Sequence, residues 1–559
     1  MRRTYLWKKI TACLMAAAMV LSVCGCGKDE GGSSTPGGSE NTESQGSSQE
    51  ESSQESSEEQ DALQETGKVT YPLEKVHLTM ALVEEPAVTA NAKDLGETPF
   101  GQAWQEATGV ELEIIQLADL NALSLLYASG ELPDIIHMAS GYVGGLDKAV
   151  KDKIAVPLND YIEYMPDFLA VLDSNENMYK KPITTADGQI AAFPLINGDD
   201  YLLTSAGMMI RQDWLNDLGL DLPQTPDDLY NVLKAFKEEK GASVPLSVGA
   251  WWLKDIAVEH GMLTSPFGLV KGGFYQVDGK VHYGYVEEEY KGVLEYLHKL
   301  YEEGLLDPNF QSVDDNTRRA NIMNGDAGAT IGNLSGDMGS MLQTMADDPY
   351  FDLSGFGPLV KSAGDIPMST HYSWPLGSMM VITPNCKNKE AAVQFLNYGY
   401  TDEGRMLFNY GIEGVSYTME NGVPTYTDLI MNNPDGLTKQ YAMAQYLRAW
   451  NGGPFVKEKG YQLQYSNLPQ QQAALELWSA SDASKYQMPP VSIAEADSNE
   501  FSKLSGDIST YVSEMFIKYV TGLEPLDTFE SEYLATLESL KVDRMIELEQ
   551  EALDEFNAR

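Results

Sequence analysis

The stretch "PFGQAWQEATGVELEIIQL", residues 99–117, changes its periodicity midway, and that change sets the fold class. In its first half Phe100, Ala103, Trp104 and Ala107 recur at the three-and-four spacing that gathers them on one helical face. Gly109 stops the helix, and the residues after it alternate as a strand does. Upstream, "VHLTMALVEE", residues 76–85, reads as a short strand running into a loop. Downstream, "NALSLLYASGELPDIIHMASGYVGG", residues 121–145, repeats the scheme, with Leu123, Leu126 and Tyr127 on a helix and Gly130 and Pro133 as breakers. Ile135 and Ile136 then form a buried strand that opens into a Gly-rich loop. Alternation of strands and helices predicts an α/β fold built on a mixed, mainly parallel sheet flanked by helices. Ligands bind such sheets beyond the carboxyl ends of the strands, so the loops after Val83 and Met138 are better site candidates than the strands.

A second unit begins at "GMMIRQDWLNDLGLDLPQTPDDLYNVLKAFKEEKG", residues 207–241. Thr225 caps a helix there, with Pro226 at its first position, Asp228 reaching back, and Leu229, Val232, Leu233 and Phe236 as its apolar stripe. In "EEYKGVLEYLHKLYEEGLLDPNF", residues 288–310, Tyr290, Val293, Leu294, Leu297 and Tyr301 share a face and Gly304 is the stop. From about Phe529, Leu534, Leu537, Leu540 and Met545 continue at helical spacing.

The whole chain has room for this. Its 559 residues are enough for two to four average domains or one large two-lobed body, and 43% hydrophobic content with 30 Tyr and 8 Trp supplies a substantial core. A formal net charge of -45 repels phosphate backbones and anionic headgroups, which excludes nucleic acid as a partner. Cys13, Cys24 and Cys26 crowd the first 26 residues and leave Cys386 alone in the body, so packing rather than a disulfide must hold the body together.

The N-terminus has a different character. "MRRTYLWKK" carries four positive charges, and the apolar run "ITACLMAAAMVLSV" after it is shorter than the roughly 20 residues of a membrane span. This is the layout of a cleaved secretory signal, and "LSVCGC" resembles the lipobox of bacterial lipoproteins. The resemblance implies a signal peptide over 1–25 and a diacylglycerol on Cys26, with Gly25 as the small residue before the cut. Cys24 as acceptor would put Val23 in that place, and ordinary secretion is the plainer alternative. Residues 26–68 are Ser, Gly, Glu and Gln with almost no apolar side chain, a composition that cannot repay ordering and reads as a disordered acidic tether. About 40 such residues have an r.m.s. span of roughly 35 Å.

Several segments of the body, in this order, resemble extracellular solute-binding proteins of family 1, the lipid-anchored receptors of ABC importers that include the maltodextrin-binding proteins. They are "WQEATGVELEI", "LLYASGELPDII", "MMIRQDWLNDLGLDLPQTPDDLY", "LYEEGLLDPNF", "NIMNGDAGATIG" and "ITPNCKNKEAAVQFLNYGYTDEGRMLFNYGIEG". The resemblance implies the two-lobed type II periplasmic-binding-protein-like fold, with lobes joined by a hinge and each discontinuous in sequence. Lobe one is expected over 69–205 plus 366–430, and lobe two over 206–365 plus 431–559. It also implies a monomeric surface lipoprotein of the Gram-positive kind that captures a solute, most plausibly an oligosaccharide, between its lobes and delivers it to ABC permease subunits. No cofactor, metal or catalytic residue is expected.

A sugar site needs flat aromatics for C–H faces and carboxylates or amides for hydroxyls. Trp251 and Trp252 in "GAWWLKD" fall where a maltodextrin-receptor-like lobe two carries a stacking aromatic, though in an extended segment only one of the pair can face inward. Trp374 precedes the strand that returns to lobe one, and Trp450 lies beside Asn-Gly-Gly in a loop. Glu84 and Glu85 follow the first strand, Tyr142 sits in the "ASGYVGG" loop, and Asn333 and Asp337 occupy a comparable loop of lobe two. Glu413 and Tyr417 adjoin the last expected crossing, with turn packing as the alternative, while Arg211 is expected to pair with Asp213 rather than with an anion.

No G-x-S-x-G elbow, H-E-x-x-H, P-loop or G-x-G-x-x-G occurs, the six histidines have no ligand spacing, and no Asp-rich loop has EF-hand spacing. Cys386 reads as a packed small hydrophobe. A glycoside hydrolase leaves no such signature, because its two carboxylates carry no motif and the chain has 83 acidic residues, so a lipid-anchored glycanase is the competing reading.

Overall fold

The computed structural model of the protein describes residues 68–139, 142, 144–371 and 373–559. Signal peptide, tether and Cys26 lie outside the described residues. Thirteen strands follow in chain order: β1 (Val76–Val83), β2 (Val110–Leu117), β3 (Ile135–Met138), β4 (Phe193–Asn197), β5 (Ala206–Arg211), β6 (Phe274–Val277), β7 (Lys280–Tyr283), β8 (Ala329–Asn333), β9 (Leu353–Phe356), β10 (Leu376–Ile382), β11 (Tyr417–Glu420), β12 (Val423–Tyr426) and β13 (Val456–Lys457).

The opening stretch folds as its periodicity predicts. The helix Pro99–Thr108 is capped by the Thr98 hydroxyl, ends on Gly109 in the left-handed region at φ 77°, and hands over to β2. Its buried face sets Trp104 parallel to Phe395 at 4.1 Å and edge-on to Phe408 at 5.1 Å. β1 runs parallel to both β2 and β3, which makes an α/β start, and the first sheet has the order β13-β4-β10-β3-β1-β2. Only β10 runs against its neighbours β3 and β4.

The second sheet repeats this plan. Its named strands have the order β8-β5-β9, with β5 antiparallel to both neighbours, and Leu246 bridges in parallel to Ala329 of β8 and to Leu306. Read outward, the order Leu306, Leu246, β8, β5, β9 matches β2, β1, β3, β10, β4 of the first sheet. In both, the antiparallel strand is the one that has just arrived from the other lobe. Parallel pairing on this side is confined to single bridges, because Pro245 and Gly249 flank a short extended segment that turns at once into helix.

Two separate hydrophobic cores define two lobes. One holds Leu78, Trp104, Phe168, Phe193, Ile382, Phe408, Leu447 and Phe455; the other holds Met209, Phe236, Leu297, Ile331, Phe356, Trp478 and Phe516. The chain passes between them along 198–205, 361–375 and 466–469. The third passage corrects the expected boundary at 430. Met443, Leu447, Phe455 and Tyr461 belong to the first core because the helix Lys439–Tyr446 packs there and β13 adds a strand to the first sheet. Only from the helix Pro469–Ser479 does the chain rejoin the second core, where Trp478 donates to the Met208 carbonyl at 3.1 Å.

The Thr225 helix runs Pro226–Glu239 with both halves of its capping box formed. The helix Glu289–Glu302 buries Tyr290, Val293, Leu294 and Leu297. The C-terminal helical stretch is broken, since Lys541 adopts φ 64° between Ala535–Ser539 and Val542–Ala558. Cys386 is a packed free thiol pushed up to about 12, chiefly by burial. No helix among the described residues is long and apolar enough to cross a membrane.

Candidate functional site

The first two passages between the lobes run side by side. Asn197 donates its amide N–H to the Pro375 carbonyl at 2.7 Å and its side-chain amide to the Trp374 carbonyl at 3.0 Å, and Ser373 donates to Leu203 at 2.9 Å. β4 and β10 deliver these segments from the first sheet, so the Asn197–Leu203 and His371–Pro375 stretches form one wall at the hinge. A cavity of about 260 Å³ opens against that wall. Tyr179 closes it from lobe one, and Ser484, Gln487 and Pro489 close it from the segment that follows the lobe-two helix. The Gln487 side chain also accepts the His371 amide N–H at 3.0 Å.

Its chemistry is mixed in a specific way. Two aromatic rings, Trp374 and Tyr179, share the space with Asn175, Asn197, Asp199, Asp200, Ser373 and Gln487. Asp199 accepts the Tyr201 N–H at 3.0 Å, which fixes one carboxylate at the start of the 3-10 turn Asp200–Leu202. Burial lifts the Tyr179 hydroxyl above its ordinary value, and the Asp200 and Asp199 charges add to that lift. Burial lowers His371 against the opposing pull of Asp200, so the imidazole is neutral at neutral pH. Flat apolar faces beside directional acceptors and amides can grip a polyhydroxylated ring without covalent chemistry.

Of the residues expected from sequence, Trp374 lines this cavity. Glu85 and Trp450 come together elsewhere in lobe one. Glu85 takes a bidentate pair from Arg448 at 2.6 and 2.8 Å and a bond from the Asn451 amide at 2.5 Å, and the Arg448 guanidinium lies 5.7 Å from the Trp450 ring. Burial pushes the Glu85 carboxyl up, but Arg448 and its neighbours outweigh this and hold it below the usual carboxylate range. The exposed Glu84 carboxylate accepts from the Thr89 hydroxyl at 3.0 Å. Tyr142 donates to Asp152 at 2.7 Å and meets Tyr127 edge-on.

In lobe two, Trp251 and Trp252 lie in a helical turn rather than an extended segment. Trp252 is 7% exposed and donates to Asp315 at 2.8 Å, while Trp251 is 58% exposed and packs edge-on against it. Asp337 is 1% exposed, accepts the backbone N–H of Asn333 at 2.7 Å and pairs with Arg318 and Arg319 at 2.8 and 2.7 Å. These carboxylates therefore organise the loops that carry them. Tyr417 is buried against Tyr410 and Tyr426 in the first core, and exposed Glu413 sits on the turn beside it; neither lines the cavity. Arg211 pairs with Asp213 at 2.8 and 2.6 Å between the Trp214 and Phe351 rings. Sequence reasoning missed Tyr179, Asn197, Asp199, Asp200, His371 and Gln487; the one available signal was "NGDDY" directly after a buried strand. No group of three or more His, Cys, Asp or Glu among the described residues is placed to hold a metal ion.

The architecture recurs in known proteins. The structure superposes on that of the alginate-binding protein AlgQ2 without calcium ion with a TM-score of 0.64 at 22% identity, over 86% of this chain and 98% of the other. By sequence, the chain is 28% identical to lipoprotein LipO of Bacillus subtilis over 63% of its own length and 70% of that protein's. It is 31% identical to the fructooligosaccharide ABC transporter substrate-binding protein FusA of Streptococcus pneumoniae, over 43% of this chain but only 46% of FusA. The profile of the bacterial extracellular solute-binding proteins matches residues 89–406, more than half of the chain, with strands of both sheets inside the match. The chain belongs to the family of bacterial extracellular solute-binding proteins.

Proposed function

We propose that this protein is a cell-surface receptor that closes its two lobes on an oligosaccharide and presents it to the permease of an ABC importer. The observation that carries the reading is the cavity at the hinge, where Trp374 and Tyr179 offer ring faces and Asn197, Asp199, Asp200 and Gln487 offer directional polar groups. The name of FusA, a fructooligosaccharide ABC transporter substrate-binding protein, supports the class of solute. Anchoring through a lipid on Cys26, with the acidic tether lifting the lobes off the surface, fits the same role, and a monomer suffices because both walls of the cavity come from one chain.

A glycanase is the weaker reading. Hydrolysis of a glycosidic bond needs two carboxyls flanking it, about 5 to 9.5 Å apart. The cavity's two acids, Asp199 and Asp200, are adjacent in sequence on one wall, and no acidic residue lines the opposite side. Calorimetric titration of residues 68–559 with neutral and acidic oligosaccharides, in parallel with a peptide panel, tests the proposal. Heat from a sugar, recovered intact, is the expected result; heat from peptides alone, or shortened sugar, overturns it. Trp374→Ala should weaken sugar binding by about 1–3 kcal/mol, roughly fivefold to 150-fold, the range for losing one aromatic stacking platform.

A further inference from the structure

The cavity lining carries two acids, Asp199 and Asp200, and no Lys or Arg among its fifteen residues. Its one titratable base, His371, faces Asp200 and is held neutral by burial. The lysines that adjoin the lining in sequence are turned away to partners of their own. Lys180, next to Tyr179, pairs with Asp173 at 2.7 Å. Lys181 sits over the Phe556 ring at 5.8 Å, and Lys485, next to Ser484, pairs with Asp482. The chain's overall charge of -45 acts in the same direction, but salt screens it beyond about 8 Å, so the two local carboxylates decide what enters.

We propose that this cavity selects uncharged oligosaccharides and excludes those bearing uronate carboxylates, with Asp199 and Asp200 as the discriminating residues. The inference rests on the carbohydrate reading above and deepens it. A neutral pyranose or furanose donates hydroxyl O–H hydrogen bonds to the two carboxylates, which when ionised can only accept. A uronate brings a third carboxylate up to two like charges in a lining that holds no Lys or Arg, and such juxtaposition is how a site rejects a wrong partner. Rejection by charge costs nothing in fit for the neutral ligand.

The test uses residues 68–559 and a matched ladder of neutral oligosaccharides (fructo-, manno- and xylo-oligomers of two to five units) against oligogalacturonates and oligoguluronates of equal length. Binding is read by calorimetry and by Trp fluorescence at low and high salt. The expected result is that the best neutral ligand binds at least a hundredfold more tightly than any uronate. Asp199→Asn and Asp200→Asn should narrow that gap by about tenfold each; Asn keeps the capping oxygen that Asp199 gives to Tyr201, so the wall stays folded. Raising the salt should narrow it too. A uronate that binds as well as the best neutral ligand overturns the selectivity while leaving the carbohydrate receptor standing. A gap unchanged in both variants overturns the assignment to these two residues. Silence from both ladders sinks the carbohydrate reading and this inference together.

Discussion

Glu85 shows how far a residue's type is from its role. From sequence it is one acid after a strand, and only the fold reveals Arg448, 363 positions away, closing on it in a buried bidentate pair. Breaking such a pair from one side leaves an uncompensated buried charge, so Arg448→Met should cost about 3–5 kcal/mol in urea unfolding. Glu85→Gln with Arg448→Met should recover much of that loss; if the double variant is as unstable as the single, the charge is not the cause. His137 lies within the same field and is lowered to about 4 by burial and by Arg448. Its folded value lies below its unfolded value of 6.5, so the unfolded chain binds more protons between the two. Stability is therefore complete above about pH 6.5 and falls by about 3 kcal/mol from this group as pH drops to about 4. His137→Gln should flatten that part of the pH profile. Glu85, whose folded carboxyl lies below the ordinary 4.5, adds a further loss only as pH falls below that value.

At the scale of elements, what the sequence announces and what it conceals follow from the range of the forces involved. Thr225-Pro226-Asp227-Asp228 announces a helix start because capping is settled within four residues, and the box forms as read. Thr225→Ala should lower stability by about 1 kcal/mol, measurable as a shift in the denaturation midpoint without a change in slope. β13, two residues long, was invisible because its strand character comes from pairing with β4 rather than from its own pattern. The third crossing was misplaced for the same reason. What commits the helix Pro469–Ser479 to lobe two is a fit to a distant surface, in which Trp478 lies on Gly207 of β5 so closely that a Cβ there would meet its ring at 2.4 Å. Gly207→Val should therefore unseat Trp478 and cost about 1–3 kcal/mol as an overpacked core substitution, visible as a red shift and rise in Trp accessibility to quencher. Trp251 and Trp252 lie in the helical turn Ala250–Trp252, where successive side chains point about 100° apart, so Trp251 faces outward while Trp252 goes in. The site was half legible. Trp374 and the rule that loops beyond strand ends bind ligands were available from the chain, whereas Gln487 meets His371, 116 positions away, only through the folded lobe-two segment that carries it.

The molecule as a whole is two similar sheets that each borrow their antiparallel strand from the chain's passage between them, so rotation about the paired crossings moves one core against the other without disturbing either. The lobes also touch at a second place, away from the hinge. Lys151 of lobe one pairs with Glu495, and Arg559 donates to the Thr184 carbonyl at 2.8 Å, joining the C-terminal helices of lobe two to lobe one. These partners sit on different lobes, so a hinge motion that parts the lobes there would break both contacts, and their bonds would then favour the closed state alone. A ligand that binds the closed state is weakened by whatever depopulates it, in proportion to the closed fraction. Lys151→Glu, which replaces attraction with repulsion at an exposed site, should therefore raise the dissociation constant by less than about tenfold while leaving the unfolding transition in place. Small-angle scattering separates this from a local effect. Unliganded Lys151→Glu should have a larger radius of gyration than the unliganded parent, and saturating sugar should bring both to the same value. Equal radii without ligand, together with equal affinities, would mean that the Lys151–Glu495 contact survives opening and has no part in closure.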